Sequence, residues 1–203
     1  MSIEKRTYEL RERAARQAET RRRIAAATAE LHEEVGPART TVAEIARRAG
    51  VQRLTVYNNF PAERDLFAAC QAHFLAENPP PDPTPALGIA DPADRLEAVL
   101  AALYAWYRAN QGMAGNVRRD RELLPALDAL LADTLDPGTT RLARALAAGF
   151  PGDDEEGRRL TTAAVALALD FWTWRRLSRE GLEDADASRF MARVVASAAG
   201  RGA

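Results

Sequence analysis

Apolar residues recur along the chain at intervals of three and four and almost never alternate, which predicts helices throughout and no strand. Residues 4 to 35 contain no Pro or Gly and read as one helix, stopped by Gly36-Pro37. Ile24, Thr28, Leu31 and Val35 form its apolar face. Before Ile24 this helix is polar on nearly every side, so its first turns project or fray. Thr41-Val42-Ala43-Glu44 has the form of a capping box, in which hydroxyl and carboxylate each serve the other residue's amide. The helix it opens carries Val42, Ile45, Ala46 and Ala49, and Gly50 ends it in a position suited to a left-handed turn. A short helix follows from about Gln52 to Asn58. Phe60-Pro61 closes it, and Pro61 suits the first turn of the next helix, which runs to about Ala76 with Leu66, Phe67, Cys70 and Phe74 inward.

Between Asn78 and Pro92 stand Pro79, Pro80, Pro81, Pro83 and Pro85, so this stretch is an extended, semi-rigid loop rather than helix interior. Helical periodicity then resumes over 93–110, briefly over 113–120, over 123–150 with Pro137-Gly138 interrupting, over 153–180 and over 184–199. The acidic run Asp153, Asp154, Glu155, Glu156 is a favourable start against a helix dipole. The expectation is an all-α fold of about nine helices.

Composition narrows the class. Hydrophobic residues at 47% and charged residues at 28% describe an ordinary globular chain. No apolar stretch is long enough to span a membrane, and the N-terminus, with Glu4, Lys5, Arg6 and Glu9, is too charged for a signal peptide, so a cytoplasmic protein is expected. Cys70 is the single cysteine, which excludes an internal disulfide and reads as a small buried hydrophobe, with redox sensing as the rival. His32 and His73 stand alone and no metal site is expected. There is no Gly-rich phosphate loop and no Ser/His/Asp or Cys/His set, so the chain reads as neither an enzyme nor a cofactor protein. The net charge of −1 argues nothing, but residues 36–60 hold Arg39, Arg47, Arg48 and Arg53 against Glu44 alone, a local excess of the kind a nucleic acid requires.

A short helix, a Gly-containing turn and a second short helix make a helix-turn-helix, which is either a packing corner or a DNA reader. Read as the latter, the first helix braces the second, and the second must be short and polar outward to enter a major groove about 12 Å wide. Val56 and Phe60 can hold that helix while Arg53, Thr55, Asn58 and Asn59 point elsewhere; Arg and Asn suit guanine and adenine edges.

These residues carry a resemblance. Arg23-Ile24, Gly36, the run Thr41-Val42-Ala43-Glu44-Ile45-Ala46-Arg47-Arg48-Ala49-Gly50-Val51, then Val56-Tyr57-Asn58-Asn59-Phe60-Pro61 and Asp65-Leu66-Phe67 resemble the DNA-binding domain of the tetracycline-repressor family over residues 20–67. The resemblance implies a DNA-binding domain at 1–67 followed by a helical ligand-sensing and dimerisation domain at 68–203. It implies a transcriptional regulator, more specifically a repressor, that binds palindromic double-stranded operator DNA as a homodimer and is released by a small-molecule effector. An activator or a ligand-independent regulator is the alternative. Thr40 and Thr41 would hold a phosphate at the start of a helix. Arg53, Leu54, Thr55, Tyr57, Asn58 and Asn59 would face the groove, with the Tyr57 hydroxyl on phosphate. Many relatives have Lys where this chain has Glu63, which cannot bind phosphate, and Arg64 is the adjacent cation. Arg21, Arg22 and Arg23 are either further phosphate contacts or a solvated face.

For the remaining two-thirds the family implies a pocket, for which Phe74, Tyr104, Tyr107, Asn110, Phe171 and Trp174 are the candidates, and the scarcity of polar groups suggests a largely apolar effector. Asp170 reads as a ligand acceptor or as a solvated or ion-paired residue. Ala163, Leu167, Phe190, Met191, Val194 and Val195 on the last two long helices are the expected dimer surface.

Overall fold

The computed structural model describes residues 3–151 and 154–200, with side chains from residue 8 onward. These residues are helical, without strands: α1 (Ile3–Glu34), α2 (Val42–Ala49), α3 (Arg53–Asn59), α4 (Glu63–Glu77), α5 (Thr84–Leu87), α6 (Pro92–Ala109), α7 (Gln111–Asp120), α8 (Pro125–Thr134), α9 (Asp136–Ala147), α10 (Glu155–Leu169), α11 (Phe171–Arg179) and α12 (Asp184–Ala199). The all-α expectation holds. None of these helices is long and apolar enough to cross a membrane.

The helices in excess of nine come from two long stretches being divided and from a short helix in the loop. The stretch 123–150 is cut at Leu135, two residues ahead of Pro137, whose ring cannot sit in a helix interior. The stretch 153–180 is cut at Asp170, which has extended backbone and whose carboxylate accepts from the amides of Trp172 and Thr173 at 2.7 and 3.1 Å. One short helix, α5, lies within the Pro-rich loop. Pro61 precedes α4 rather than opening it, because Ala62 is the N-cap. Asp153 lies outside the described residues; Asp154 is the N-cap of α10, accepting from the Gly157 amide at 2.6 Å.

The chain divides into two compact units, residues 1–79 with 116–130 and residues 80–115 with 131–203. The boundary expected at residue 67 therefore falls inside α4, which stays whole because its buried Leu66, Phe67 and Cys70 belong to the first unit's interior. In that unit α1 packs on α4 and α2, and α2 on α3, around Ile24, Leu31, Ile45, Val56, Phe60 and Leu66. In the second, α6 packs on α12 and α10 on both α9 and α12, around Leu96, Leu100, Tyr104, Val165, Trp174 and Val195.

Residues 116–120 close the end of α1. Asn116 donates its side-chain amide to the carbonyls of His32 and Glu33 at 3.0 and 2.8 Å, and Arg119 donates to that of Val35 at 3.2 Å. The Asp120 carboxylate accepts from the Ala38 amide and from Arg119. Burial raises the Asp120 pKa, but those hydrogen bonds and the charges of Arg119 and Arg39 outweigh it and hold the carboxyl below its usual range. Gly36 lies beneath at a φ of +94°, where a Cβ would strike both the Arg119 guanidinium and the Asp120 carboxylate.

His32, on the inner face of α1, lies 3.4 Å through Nδ1 from Cys70 Sγ and 5.7 Å ring to ring from Phe67. Burial depresses the imidazole from 6.5 to about 4, against the weaker opposing pull of Asp120. The same burial pushes the Cys70 thiol up to about 12, which disfavours the thiolate. Because the folded imidazole resists protonation, the unfolded chain takes up a proton below pH 6.5 that the folded chain refuses until about pH 4. Stability should therefore fall across that window, by about 2 kcal/mol between pH 7 and pH 5. Urea unfolding at the two pH values checks this: His32→Asn should lose most of the difference, and an unchanged difference would mean that another group sets the acid response.

Candidate nucleic-acid interface

The interface is built from the ends of α2, all of α3 and the start of α4. Thr41 caps α2 with extended backbone, and its hydroxyl oxygen accepts from the Glu44 amide at 3.2 Å. The Glu44 carboxylate binds Arg47 at 2.5 and 3.1 Å, which draws its pKa below the usual range. The Thr40 hydroxyl donates to the Gly36 carbonyl at 2.9 Å. Of the two threonines, Thr41 thus keeps its own proton available for an anion at the α2 N-terminus, where unpaired amides and the helix dipole also favour one. Gly50 ends α2 at φ 64° and ψ 41°, and the Val51 amide returns to the Ala46 carbonyl at 2.9 Å, closing the left-handed turn between the two helices.

The seven residues of α3 present one buried anchor, Val56 at 1% exposure, with Phe60 at 4% immediately after the helix. Arg53, Leu54, Tyr57 and Asn58 are exposed on the other side, Leu54 to 65% and Tyr57 to 54%. An apolar leucine and a tyrosine so exposed on a two-turn helix form a surface that packing in this unit does not use. Thr55 and Asn59 are half-buried, and the Asn59 side-chain amide donates back to the Thr55 carbonyl at 2.7 Å. The outer face therefore consists of Arg53, Leu54, Tyr57 and Asn58, with Asn59 turned onto its own helix.

Local charge is spent unevenly. Arg47 is held by Glu44, and Arg48 is held by Glu34 through bonds of 2.6 and 2.8 Å. Arg53 enters no ion pair among the described residues. Glu63 is the first residue of α4 and is exposed, whereas Arg64 is half-buried. Thr40, Tyr57 and Glu63 together line a cleft of about 240 Å³ whose buried lining includes Ile45, Val56 and Phe67.

The comparisons with known proteins bear on the same segment. The model of the family "Bacterial regulatory proteins, tetR family" matches residues 24–70. Over these residues the chain is similar to the DNA-binding domain of that family. An uncharacterized HTH-type transcriptional regulator of Mycobacterium tuberculosis is 43% identical over 60 residues, 30% of this chain and 32% of that protein. A counterpart in Mycobacterium bovis is 44% identical over 59 residues, 29% of this chain and 31% of that protein. The chain thus matches about a third of the length of these relatives. Among solved structures it is similar in fold to a TetR transcription regulator from Haloarcula marismortui, with a TM-score of 0.60 and 20% identity, covering 89% of this chain and 98% of that one. A TetR-like transcriptional regulator from Rhodococcus sp. RHA1 gives a TM-score of 0.58 at 17% identity, covering 90% of this chain and 94% of that one.

Tyr104, Tyr107, Phe171 and Trp174 are buried in the second unit, with Tyr107, Phe171 and Trp174 in mutual ring contact at 5.3 to 5.8 Å. Their polar atoms are engaged: Tyr104 and Tyr107 donate to the carbonyls of Ala168 and Leu169, and the Trp174 indole donates to Asp184. Asn110 is buried beside them in sequence and donates to the Trp106 carbonyl. Phe74 belongs to the first unit. Asp170, read as a ligand acceptor or a solvated residue, is the N-cap of α11. Ala163, Leu167, Phe190 and Val194 are exposed, whereas Met191 and Val195 are buried in the second unit's own core. Of the arginine triplet, Arg22 pairs outward with Glu19, while Arg21 and Arg23 donate to backbone carbonyls of the helix-turn-helix. That role for Arg21 and Arg23 was not legible in the sequence, because nothing local marks a partner 26 or 38 residues away.

Glu63 sets a folding preference against a binding preference. A carboxylate at a helix N-terminus is favourable, yet in the cleft shared with Tyr57 and Thr40 it would repel a phosphate. Glu63→Lys should tighten binding to selected and random duplexes alike and steepen the salt dependence by about 0.9 in log–log slope, one added phosphate. The melting temperature should drop slightly. Affinities across a salt series measure this, and an unchanged slope would show that residue 63 does not face the DNA backbone.

Proposed function

We propose that the chain is a transcriptional regulator that reads a palindromic operator as a homodimer, acts as a repressor and leaves the DNA when a small, largely apolar effector binds. The observation that carries the reading is the outer face of α3: Arg53, Leu54, Tyr57 and Asn58 stand exposed on a helix fixed from behind by Val56 and Phe60, beside the capped N-terminus of α2. Arg53 offers two parallel donors to guanine, Asn58 a donor and an acceptor to adenine, and Leu54 an apolar contact to a thymine methyl. Phosphate held by Thr41 and Tyr57 would set the register without reading sequence.

Dimerisation rests on the second unit. Leu160, Ala163 and Leu167 follow one another at three- and four-residue spacing along α10, and Phe190 and Val194 do so along α12. All five are exposed, Leu167 to 58%, on helices that pack against each other. A paired apolar stripe of this kind, repeated by a two-fold axis, makes a four-helix contact, and the axis imposes a palindrome on the DNA.

A second reading, a regulator that works without an effector, is favoured by one observation. The aromatic residues nominated for a pocket are packed on one another and their polar atoms are already bonded. An effector would have to open that core. Titration of the protein–operator complex with apolar compounds separates the two readings, because only the first gives release. A reporter with the selected site placed over a promoter separates repression from activation.

Two outcomes test the main reading. Sequencing duplexes retained by the purified protein should give a palindrome, and Arg53→Ala or Asn58→Ala should each cost about 1–3 kcal/mol at the selected site while relaxing base preference; unaltered selectivity in both would remove α3 as the reading helix. Replacing Leu167 and Phe190 together by Glu should convert a dimer into a folded monomer by sedimentation and abolish binding to the full palindrome. A wild-type chain that sediments as a monomer at micromolar concentration would end the dimer reading.

A further inference from the structure

We propose that Arg21 and Arg23 are positioning residues for DNA reading. From α1 they hold the C-terminal ends of α3 and α2, and so set the tilt of the reading helix without touching DNA. The inference rests on α3 being the reading helix, as proposed above.

The last carbonyls of a helix have no donor inside it and carry the negative end of its dipole. In a helix as short as α3 they are a large share of the whole, and α3 has no basic residue in its last turn. The Phe60 amide serves the Val56 carbonyl at 2.9 Å, and the Asn59 side chain serves that of Thr55. The Asn59 carbonyl is served by the Arg21 guanidinium. That guanidinium also lies 4.1 Å over the Phe60 ring, the residue that anchors the end of α3. One side chain thus fixes both the last carbonyl of the reading helix and the ring on which the helix turns.

Arg23 does the same for α2. Its Nη2 donates to the Ala49 carbonyl at 2.5 Å and to that of Gly50 at 3.3 Å. A Cβ on Gly50 would lie 2.8 Å from that nitrogen, so Gly50 supplies both the left-handed turn and the room for the guanidinium. Residues two apart leave a helix about 200° apart around its axis, which lets the two arginines serve different helices. Arg22 between them is exposed and pairs with Glu19. The bonds of Arg21 and Arg23 join a charged donor to a carbonyl, the stronger class of hydrogen bond. The ends of α2 and α3 are consequently referred to one rigid element, α1, whose next residue, Ile24, is wholly buried.

A phosphate contact and a positioning contact leave opposite signatures. The measurements are affinity for the selected operator and for a random duplex across a salt series, and amide hydrogen exchange of α3 in the DNA-free protein. Arg21→Ala should weaken operator binding about tenfold or more and random-duplex binding less than about twofold, with the salt slope unchanged. Exchange through α3 should rise about tenfold while that of α6 stays as in wild type. Arg21→Lys keeps the charge but loses the planar stack on Phe60, and should give an intermediate loss in a chain that folds even if the alanine variant does not. Arg23→Ala should move exchange in the last turn of α2. Equal losses on both duplexes with a slope smaller by about 0.9 would make Arg21 a phosphate contact and overturn the proposal. Unchanged α3 exchange in both Arg21 variants would overturn it too. A wild-type protein that prefers no duplex would defeat the functional reading instead, and the exchange data would still judge whether Arg21 holds α3.

Discussion

Every helix begins with amides and ends with carbonyls that it cannot pair internally. A chain cut into α1 to α12 meets that constraint at each junction, several of them buried, where an unpaired group costs about 1–3 kcal/mol. Much of what is distinctive here answers it. Thr41, Asp91, Asp154 and Asp170 take amides at helix starts. At the other ends, Asn116 and Arg119 serve the carbonyls of α1, Arg23 those at the end of α2, Arg21 that of α3, and the hydroxyls of Tyr104 and Tyr107 the last carbonyls of α10. Where a turn must pass close beneath such a donor the residue is glycine, at 36 and at 50.

The two kinds of end differ in how far away the partner lies, and that difference decides what the sequence can disclose. An N-cap bonds an amide two or three residues ahead, so Thr41 with Glu44 is readable as a string, as is the Gly50 turn that follows. Residues 41–60 were accordingly legible to within a residue or two, including Val56 and Phe60 as the anchors of α3. The donors at helix C-termini come from tens of residues off, as Arg21 does to Asn59 and Tyr104 to Ala168, and no periodicity points to them. Hence neither the bonds of Tyr104 and Tyr107 to the end of α10 nor those of Arg21 and Arg23 to α3 and α2 were legible. Asp170 misled for another reason: an uninterrupted apolar run hides a break when the capping residue sits in its middle, so α10 and α11 read as one helix. The residues expected at a dimer surface divide between surface and core. Leu167, Phe190 and Val194 face outward, but Met191 and Val195, one place further along α12 from Phe190 and Val194, point into the core, a 100° turn that helical spacing alone does not orient.

The placement of charge follows the same logic. Guanidinium groups can be spent on carboxylates, on carbonyls or on a partner, and the first unit distributes its arginines among these. Arg47 and Arg48 are neutralised by Glu44 and by Glu34, Arg21 and Arg23 are spent on backbone, and Arg53 alone of the α2–α3 arginines carries its charge outward without an ion pair among the described residues. A basic count over residues 36–60 therefore overstates the positive face, and the specific cation is better placed than the total implies.

The length of α3 ties these points together. A helix of seven residues is unstable alone, because nucleation costs more than two turns of hydrogen bonds return. It exists here because its surroundings hold it: Val56 and Phe60 from the core side, and a guanidinium at its last carbonyl. On the proposed reading, making it longer would add stability but would also add a turn that the groove must admit, and filling its outer face with core residues would remove the donors offered to base pairs. The end of α3 is held from α1, and α1 is in turn held at its far end by Asn116, Arg119 and Asp120 around Gly36. The bond from Arg21 to Asn59 and the guanidinium over the Phe60 ring are what join the end of α3 to α1.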